Sequence, residues 1–299
     1  MEEKQIKGIV IKSLGGFYYV KDKNNNEYEC RARGLFRNKS IKIIVGDYVT
    51  VDLQEENKGY IVSVDDRKNS LVRPPIANID ALVLVNSVVD PKPNLFVLDK
   101  LIAISEFNNI EPVVCFTKID LASHEEYSQI YKNAGFKVFC VNNKTKDGTK
   151  ELIEYLSGKV CAFSGNSGVG KSSLLNAIDS NLNIKTGDTS QKLGRGKHTT
   201  RHTELFEINN NTYIADTPGF SAIETEKFQV ILKEDLASCF REFAPYIDNC
   251  RFTGCSHTKE KGCAVLDALN NGKISASRHE SYLAMYEDAK QIKEWELKK

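Results

Sequence analysis

The 299-residue chain lacks any apolar run near the 18 or so residues that a membrane-spanning helix needs. Its opening residues, MEEKQIKGIV, carry neither the basic n-region nor the long apolar stretch of a secretory leader, so a cytoplasmic protein with no membrane contact is expected. Charge of one sign is also missing. Lys and Arg total 41 against 40 Asp and Glu, a net charge of +1, which excludes both a polycation and an acidic solvating tail. Any surface for RNA must therefore come from local segregation of charge. A disulfide framework is absent too: the 8 Cys are scattered, and Cys115, Cys140 and Cys161 each sit in a short apolar run, where a free thiol behaves as a small hydrophobe. No internal repeat is visible. With 41% hydrophobic and 27% charged residues, what is left is an ordinary globular composition, long enough for two or three domains at roughly 150 residues each.

Residues 1–70 read as β structure. Gln5–Ser13, Phe17–Lys21, Glu27–Cys30, Asp47–Leu53 and Tyr60–Val64 are short β-prone runs separated by Leu14-Gly15-Gly16, Asn24-Asn25-Asn26 and Asn57-Lys58-Gly59. Five such strands predict a small barrel of the OB type, a fold that often binds oligonucleotides. Between Cys30 and Gly46 lie five basic residues (Arg31, Arg33, Arg37, Lys39 and Lys42) and no acidic one. That run is either a solvated loop or a loop that touches RNA.

After Pro74-Pro75 the pattern changes. Apolar strands at Ile79–Val85, Pro112–Phe116, Lys137–Val141 and Lys159–Phe163 alternate with helical segments near Leu95–Phe107, Ala122–Ala134 and Gly148–Leu156. This alternation predicts a parallel sheet with helices on both faces, a multidomain α/β chain whose central domain spans 71–223. A hairpin, Glu204–Ile208 with Thr212–Ala215, follows a polar, Gly-rich stretch. From Glu226 helical patterns dominate, and residues 224–299 form a third unit ending in a stripe of Tyr282, Met285, Tyr286, Ala289 and Ile292 that reads as packing surface.

Three motifs carry chemistry. Gly165-Asn166-Ser167-Gly168-Val169-Gly170-Lys171-Ser172, with Ser173 behind it, is a full Walker A phosphate loop, between a strand and the helix Lys171–Ile178. Its glycines let backbone N–H groups curl around phosphate oxygens, Lys171 reaches the terminal phosphates, and Ser172 offers a hydroxyl to Mg²⁺. Asp216-Thr217-Pro218-Gly219, after the strand Tyr213–Ala215, supplies a carboxylate for the metal and, at Gly219, an N–H for the γ-phosphate, as in a switch II element. Between them, Lys197-His198-Thr199-Thr200-Arg201 offers the switch I hydroxyl, Thr200 or its neighbour Thr199, for Mg²⁺. The base-reading element, normally downstream, stands upstream as Thr117-Lys118-Ile119-Asp120, where Asp120 would accept two hydrogen bonds from a guanine edge. The order base reader, phosphate loop, switch I, switch II is a rotation of the usual GTPase order.

Cys250, Cys255, His257 and Cys263 place three thiolates and an imidazole within 14 residues, with Gly254 and Gly262 easing the turns. Four soft ligands in so short a stretch fit a closed, structural Zn²⁺ site with no position left for catalytic water. Redox-active thiols are the competing reading.

On these motifs the chain resembles the circularly permuted GTPases, and specifically the ribosome small-subunit-dependent GTPase A family. The likeness runs nearly end to end: an OB-like start, the permuted G domain, and a Cys/His-rich helical tail. It implies GTP binding and hydrolysis, late maturation of the small (30S) ribosomal subunit, contact with its rRNA, stimulation by that particle, and a monomer. A leading Thr in the base reader is seen in such families, and the family carries the same Cys-Cys-His-Cys set. Phe220 stands where many GTPases place a water-orienting Gln. The candidate to replace it is His198, in a stretch that resembles the family's Gly-x-Gly-x-His-Thr-Thr pattern; Lys171 and Thr200 complete the expected catalytic set. The second guanine contact, often Ser-Ala, is Asn142-Asn143 here. Two other readings compete: a P-loop ATPase or kinase acting on a small metabolite, which would need no guanine-reading Asp, and an RNA-binding scaffold with a vestigial nucleotide site.

Overall fold

The structure, a computed structural model, describes residues 5–34, 36, 42–55, 57–71, 75–182, 184, 203–209, 211–216 and 230–292. Five strands, β1 (Gln5–Leu14), β2 (Phe17–Asp22), β3 (Glu27–Ala32), β4 (Tyr48–Glu55) and β5 (Lys58–Val64), run in the order β1-β2-β3-β5-β4, and β4 returns to pair with β1. The barrel therefore closes, with β3 and β5 its parallel pair. Closure removes the sheet edges that would otherwise pair with other chains. Alternation does the sorting: Val10, Val20, Tyr28, Cys30, Val49, Val51 and Ile61 point inward into one buried cluster. Gly15 and Gly16, at φ +60° and +84°, make the β1–β2 turn that a side chain would strain.

β3 runs two residues further than the sequence predicts, which corrects the placement of two basic residues. Arg31 is a strand residue, and Arg33 forms an ion pair with the buried Asp52 at 2.5 Å. Lys42 is exposed; Arg37 and Lys39 lie outside the described residues.

A clasp of two short strands, β6 (Ser70–Leu71) and β7 (Ile76–Ala77), leads from the barrel to the central sheet. Its two asparagines act as backbone splints. Asn69 gives its amide N–H to Ile79 O and receives Ile79 N–H, both at 2.8 Å, and Asn78 donates to Gly46 O at 2.9 Å.

The central sheet is built from β8 (Ala81–Ser87), β9 (Glu111–Thr117), β10 (Lys137–Val141), β11 (Val160–Ser164), β12 (Glu204–Asn209) and β13 (Thr212–Asp216), in the order β10-β9-β8-β11-β13-β12. All neighbours are parallel except the β12–β13 hairpin. Helices α1 (Leu95–Phe107) and α2 (Glu125–Asn133) pack on one face, α3 (Thr149–Leu156) and α4 (Lys171–Ile178) on the other. Both faces are thus covered, as continuous runs such as Ala81–Val85 require. α2 starts three residues later than predicted because residues 121–124 turn first: Leu121 N–H bonds Lys118 O and the Ser123 hydroxyl accepts Glu125 N–H. The hairpin also carries the barrel. Lys12 of β1 pairs with Glu204 of β12 in the backbone ladder, and the ion pairs Lys12–Glu204 and Lys21–Glu207 fasten the same join.

The tail folds around its own core of Leu236, Cys239, Phe240, Phe243, Val265, Tyr282 and Met285. Its main helices are α5 (Ala264–Asn270) and α6 (Ala276–Lys290). Tyr282, Met285 and Ala289 of the predicted stripe are buried, while Ile292 lies beyond the helix end. Arg278, on the first turn of α6, is 1% exposed and binds Asp99 of α1 at 2.7 Å and Glu242 at 2.7 Å. Tyr131 of α2 donates its hydroxyl to the same Asp99 at 3.0 Å. A buried cation with one partner removed leaves the rest uncompensated, a loss of about 3–5 kcal/mol. Arg241, paired with Glu106 and Glu111 and 29% exposed, is screened by water and contributes far less. Arg278→Ala is expected to lower the thermal midpoint several-fold more than Arg241→Ala; equal shifts would show that burial of the first network adds nothing.

Candidate functional site

The carboxyl ends of the parallel strands line up at one edge, where open α/β sheets bind ligands. Ser87 pairs with Thr117 and Thr117 with Val141, so β8, β9 and β10 finish together, while β11 ends at Ser164 opposite Leu84, three residues short of the end of β8. The phosphate loop leaves β11 there. A Cβ on Gly165 would stand 2.5 Å from Val85 O, and Gly168 and Gly170 take φ +82° and +86°, so the loop admits glycine at each of these turns. Val169 is buried and anchors it; Asn166, Ser167 and Gly168 form the exposed tip. α4 then opens at Lys171, with Ser172 and Ser173 half-buried in its first turn, and Leu174 N–H is bonded to Gly170 O at 2.9 Å. The N–H groups ahead of that bond face the loop mouth, where a helix amino terminus favours anions.

The base reader is joined to this loop directly. Thr117, fully buried at the end of β9, donates its hydroxyl to Val169 O at 2.5 Å. Lys118 takes φ +58° and gives its ammonium to Asp90 O at 2.5 Å; Ile119 is half-buried behind it. The carboxylate of Asp120 lies 3.2 Å from the ammonium of Lys144, a side chain 77% exposed. So exposed a pair is weak and leaves the carboxylate open to other N–H donors.

The loop after β10 is bonded to the phosphate loop as well. Asn142 is buried and its side-chain oxygen accepts Lys144 N–H at 2.9 Å, an Asx turn that does for this loop what a serine would. Asn143 reaches across and donates to Gly170 O at 3.0 Å, while its own side-chain oxygen is buried with no partner. Thr117 and Asn143 therefore hold the carbonyls of two successive loop residues.

In the tail, the ligand atoms of Cys250, Cys255, His257 and Cys263 all lie within 4.8 Å of one another. Cys250 Sγ is 3.9 Å from Cys263 Sγ, 3.6 Å from His257 Nδ1, and His257 Nδ1 is 3.4 Å from Cys263 Sγ. A tetrahedron with Zn–S near 2.3 Å and Zn–N near 2.0 Å has edges of about 3.8 and 3.5 Å, so the four groups fit Zn²⁺. Burial pushes the Cys255 thiol up to about 12, raises that of Cys263 and lowers the His257 imidazolium, so the thiolate forms would need a bound cation.

Around these ligands sits a second set of residues that no local pattern marks. His279 Nε2–H donates to His257 O at 2.8 Å, and the Tyr282 hydroxyl to Ser256 O at 2.8 Å. Glu260, against the penalty of burial, is brought down to about 2 by the Ser256 hydroxyl and by N–H groups of the loop. α6 thus grips the metal loop with His279 and Tyr282, and the helix face of Arg278 grips the G domain.

Comparison with known proteins agrees with this geometry. The RsgA GTPase family model matches residues 64–226 and the RsgA N-terminal domain model residues 7–61. The chain belongs to the RsgA GTPase family. It is 45% identical over 287 residues to small ribosomal subunit biogenesis GTPase RsgA 2 of Oceanobacillus iheyensis, covering 94% of this chain and 96% of that one. It is 40% identical to small ribosomal subunit biogenesis GTPase RsgA of Bacillus subtilis strain 168, over 96% and 98% of the two chains. Among solved structures, YjeQ from Thermotoga maritima superposes with a TM-score of 0.83 at 33% identity, covering 97% of this chain and 100% of that one. YloQ, described as a circularly permuted GTPase, gives 0.81 at 35% identity over 97% and 96%.

Membership makes this chain a GTP-hydrolysing enzyme with the permuted order that the motifs predicted. The metabolite ATPase or kinase reading falls away. Among the described residues no helix is long and apolar enough to cross a membrane. His198, Thr200 and Gly219 lie outside the described residues, as does the side chain of Asp216, whose backbone ends β13.

Removing the Thr117 hydroxyl leaves the buried Val169 carbonyl unsatisfied, a loss of about 1–3 kcal/mol in the assembled loop. Thr117→Ala is expected to weaken GDP binding about tenfold in a fluorescent-nucleotide titration while Thr117→Asn retains it; unchanged affinity in the Ala variant would refute the link. Elemental analysis of the purified protein is expected to give one zinc per chain. Cys255→Ser should lose the metal and lower the melting temperature yet keep GDP affinity; full zinc content in that variant would remove Cys255 from the set.

Proposed function

We propose that this chain is a GTP-driven factor for late maturation of the small ribosomal subunit, binding its rRNA and released or retained according to the bound nucleotide. The observation that carries the reading is the joining of an upstream base reader to the phosphate loop through Thr117, within a chain whose relatives in Oceanobacillus iheyensis and Bacillus subtilis are named for biogenesis of that subunit. Three units divide the work: a barrel over 1–70, the G domain over 71–223 and a zinc-tied tail over 224–299.

In the G domain, Gly165 to Ser173 enclose the phosphates, Thr117 to Asp120 with Asn142 and Asn143 take the guanine, and Lys171 neutralises the terminal phosphate. Ser172, Thr200 and Asp216 would hold Mg²⁺, which supplies charge neutralisation at the β- and γ-phosphates, and Gly219 would give an N–H to the γ-phosphate. His198 positions the attacking water in place of the missing Gln. Phe220 has no group to do so, and the stretch Lys185 to Arg201 has five basic residues, of which Lys192, Arg195, Lys197 and Arg201 lie close in sequence to His198 and would meet a ribosomal phosphate backbone. In the tail, Cys250, Cys255, His257 and Cys263 hold Zn²⁺, a structural ion. Arg31, Arg33, Arg37, Lys39 and Lys42 are the residues offered to rRNA phosphates; the Asp52 pair takes up part of the charge of Arg33, leaving the other four as the principal contacts. The protein acts as a monomer in the cytoplasm.

The test is the steady-state rate of GTP hydrolysis by the free chain, with small subunits and with large subunits. A slow free rate raised by small subunits alone is expected, and His198→Ala should abolish the rise while sparing GDP affinity. Equal rates with and without small subunits would overturn the reading.

A further inference from the structure

Arg278 belongs to the tail, but the carboxylate it holds sits where the two helices flanking the base reader meet. Its guanidinium donates to Asp99 Oδ1 of α1 at 2.7 Å and to the two carboxylate oxygens of Glu242 at 2.7 and 3.2 Å. The same Asp99 oxygen accepts the Tyr131 hydroxyl of α2 at 3.0 Å. Both Arg278 and Asp99 are buried, and the ring centres of Phe240, Phe136 and Tyr131 stand 4.6, 5.3 and 5.9 Å from the guanidinium carbon. A charge held this deep is costly to leave without its partner, so its geometry is fixed by that partner.

Asp99 lies on the second turn of α1, about 7 Å along the axis from the Asn94 cap. The loop ahead of that cap is bonded to the nucleotide site. Asp90 O accepts the Lys118 ammonium at 2.5 Å, and Val88 N–H bonds Thr117 O at 3.2 Å. Pro91 lies against the phosphate loop, its Cδ 3.6 Å from where a Cβ on Gly168 would stand. On the other side, the chain runs from Asp120 into α2 through the turn that Leu121 N–H closes on Lys118 O. Thr117 to Asp120 is therefore a short segment held at one end by the approach to α1 and at the other by the approach to α2. Asp99 joins those two helices, and Arg278 compensates Asp99. A carboxylate that is to accept two parallel N–H bonds from one base edge tolerates little displacement, and a shift of about 1 Å loses one of them.

We propose that Arg278 is a positioning residue for guanine selection: by holding Asp99 it locks α1 to α2, and through them it sets where Asp120 meets the base. This rests on the reading of Asp120 as the guanine acceptor and deepens it, because a residue of the tail then takes part in the specificity of the G domain. Without Arg278, Asp99 moves toward water or takes up a proton, and either change loosens the joint between the two helices.

The test is competition of GDP and inosine diphosphate for the full chain. Inosine lacks the 2-amino group and gives Asp120 one N–H instead of two, so the ratio of the two affinities reads the placement of that carboxylate. A loss of stability that weakens both nucleotides equally leaves the ratio unchanged. The unmodified chain is expected to favour GDP at least about tenfold, the worth of one hydrogen bond to a charged group. Arg278→Met is expected to reduce that preference to about threefold or less. Tyr131→Phe keeps the ring and drops only the hydroxyl on Asp99; a fall of about twofold is expected, and this variant decides the matter if Arg278→Met does not fold. Glu242→Gln removes a buried charge from the same cluster while leaving Arg278 on Asp99, so it is expected to lower the melting temperature and keep the ratio. An unchanged ratio in folded Arg278→Met, or in Tyr131→Phe where Arg278→Met does not fold, would overturn the inference and leave Asp120 as the base reader. An equal fall in Glu242→Gln would overturn it too, as the mark of general loosening of the tail. No preference for GDP in the unmodified chain would remove the base-reading assignment itself, and the inference with it.

Discussion

The hydrogen bond from the Thr117 hydroxyl to the Val169 carbonyl is the constraint on which the nucleotide site depends. It ties two residues 52 positions apart in the chain, and it does so because β9, β8 and β11 are lateral neighbours that end at one edge. Strand adjacency, not chain order, decides which loops meet at the carboxyl edge of a parallel sheet. A chain that begins at the base reader and ends at the second switch therefore builds the same pocket as one that begins at the phosphate loop. Rotation relocates the chain ends, and here the barrel pairs with the β12 edge of the sheet while the tail packs on α1.

That relocation explains how the two appendages are fastened. The barrel pairs with β12, the hairpin strand lying in sequence between the two switch stretches, through Lys12 and Lys21. The tail is fastened by the buried Arg278 to Asp99, which also receives Tyr131 from the helix that follows the base reader. α6 carries Arg278, His279 and Tyr282 within two turns, so the same helix holds both the G domain and the carbonyls of the metal loop. A zinc ion held by the four ligands would give a small tail a fixed shape with a modest core.

Much of this was legible in the residues. The residue pattern placed α1 at Leu95–Phe107 and α4 at Lys171–Ile178 to the residue: Asn94 caps the first and Gly170 precedes the second, and α1, between the sheet and the tail, is apolar enough to be buried all round. The phosphate loop, the base reader and the four metal ligands are each local in sequence, and local spacing is what pattern reading sees. What escaped it was tertiary. Nothing adjacent to Arg278 in the chain announces that a charged residue is to be buried, since its partners Asp99 and Glu242 lie 179 and 36 residues away. Asn143 looked like a departure from Ser-Ala and turned out to donate to Gly170 O, a role that depends on a loop 27 residues further on. Arg31 read as a loop residue because β3 continues through polar positions whose outward face no core pattern marks.

The central claim is that Asp120, held upstream of the phosphate loop by the β9–β8–β11 arrangement, reads guanine. Its most direct measurement is nucleotide specificity of Asp120→Asn against the unmodified chain, by competition of GDP, xanthosine diphosphate and ADP for the site. An amide at this position donates where the carboxylate accepts, so preference is predicted to move from the guanine to the xanthine nucleotide while ADP stays excluded. Retention of guanine preference by Asp120→Asn would contradict the assignment and require another residue to read the base.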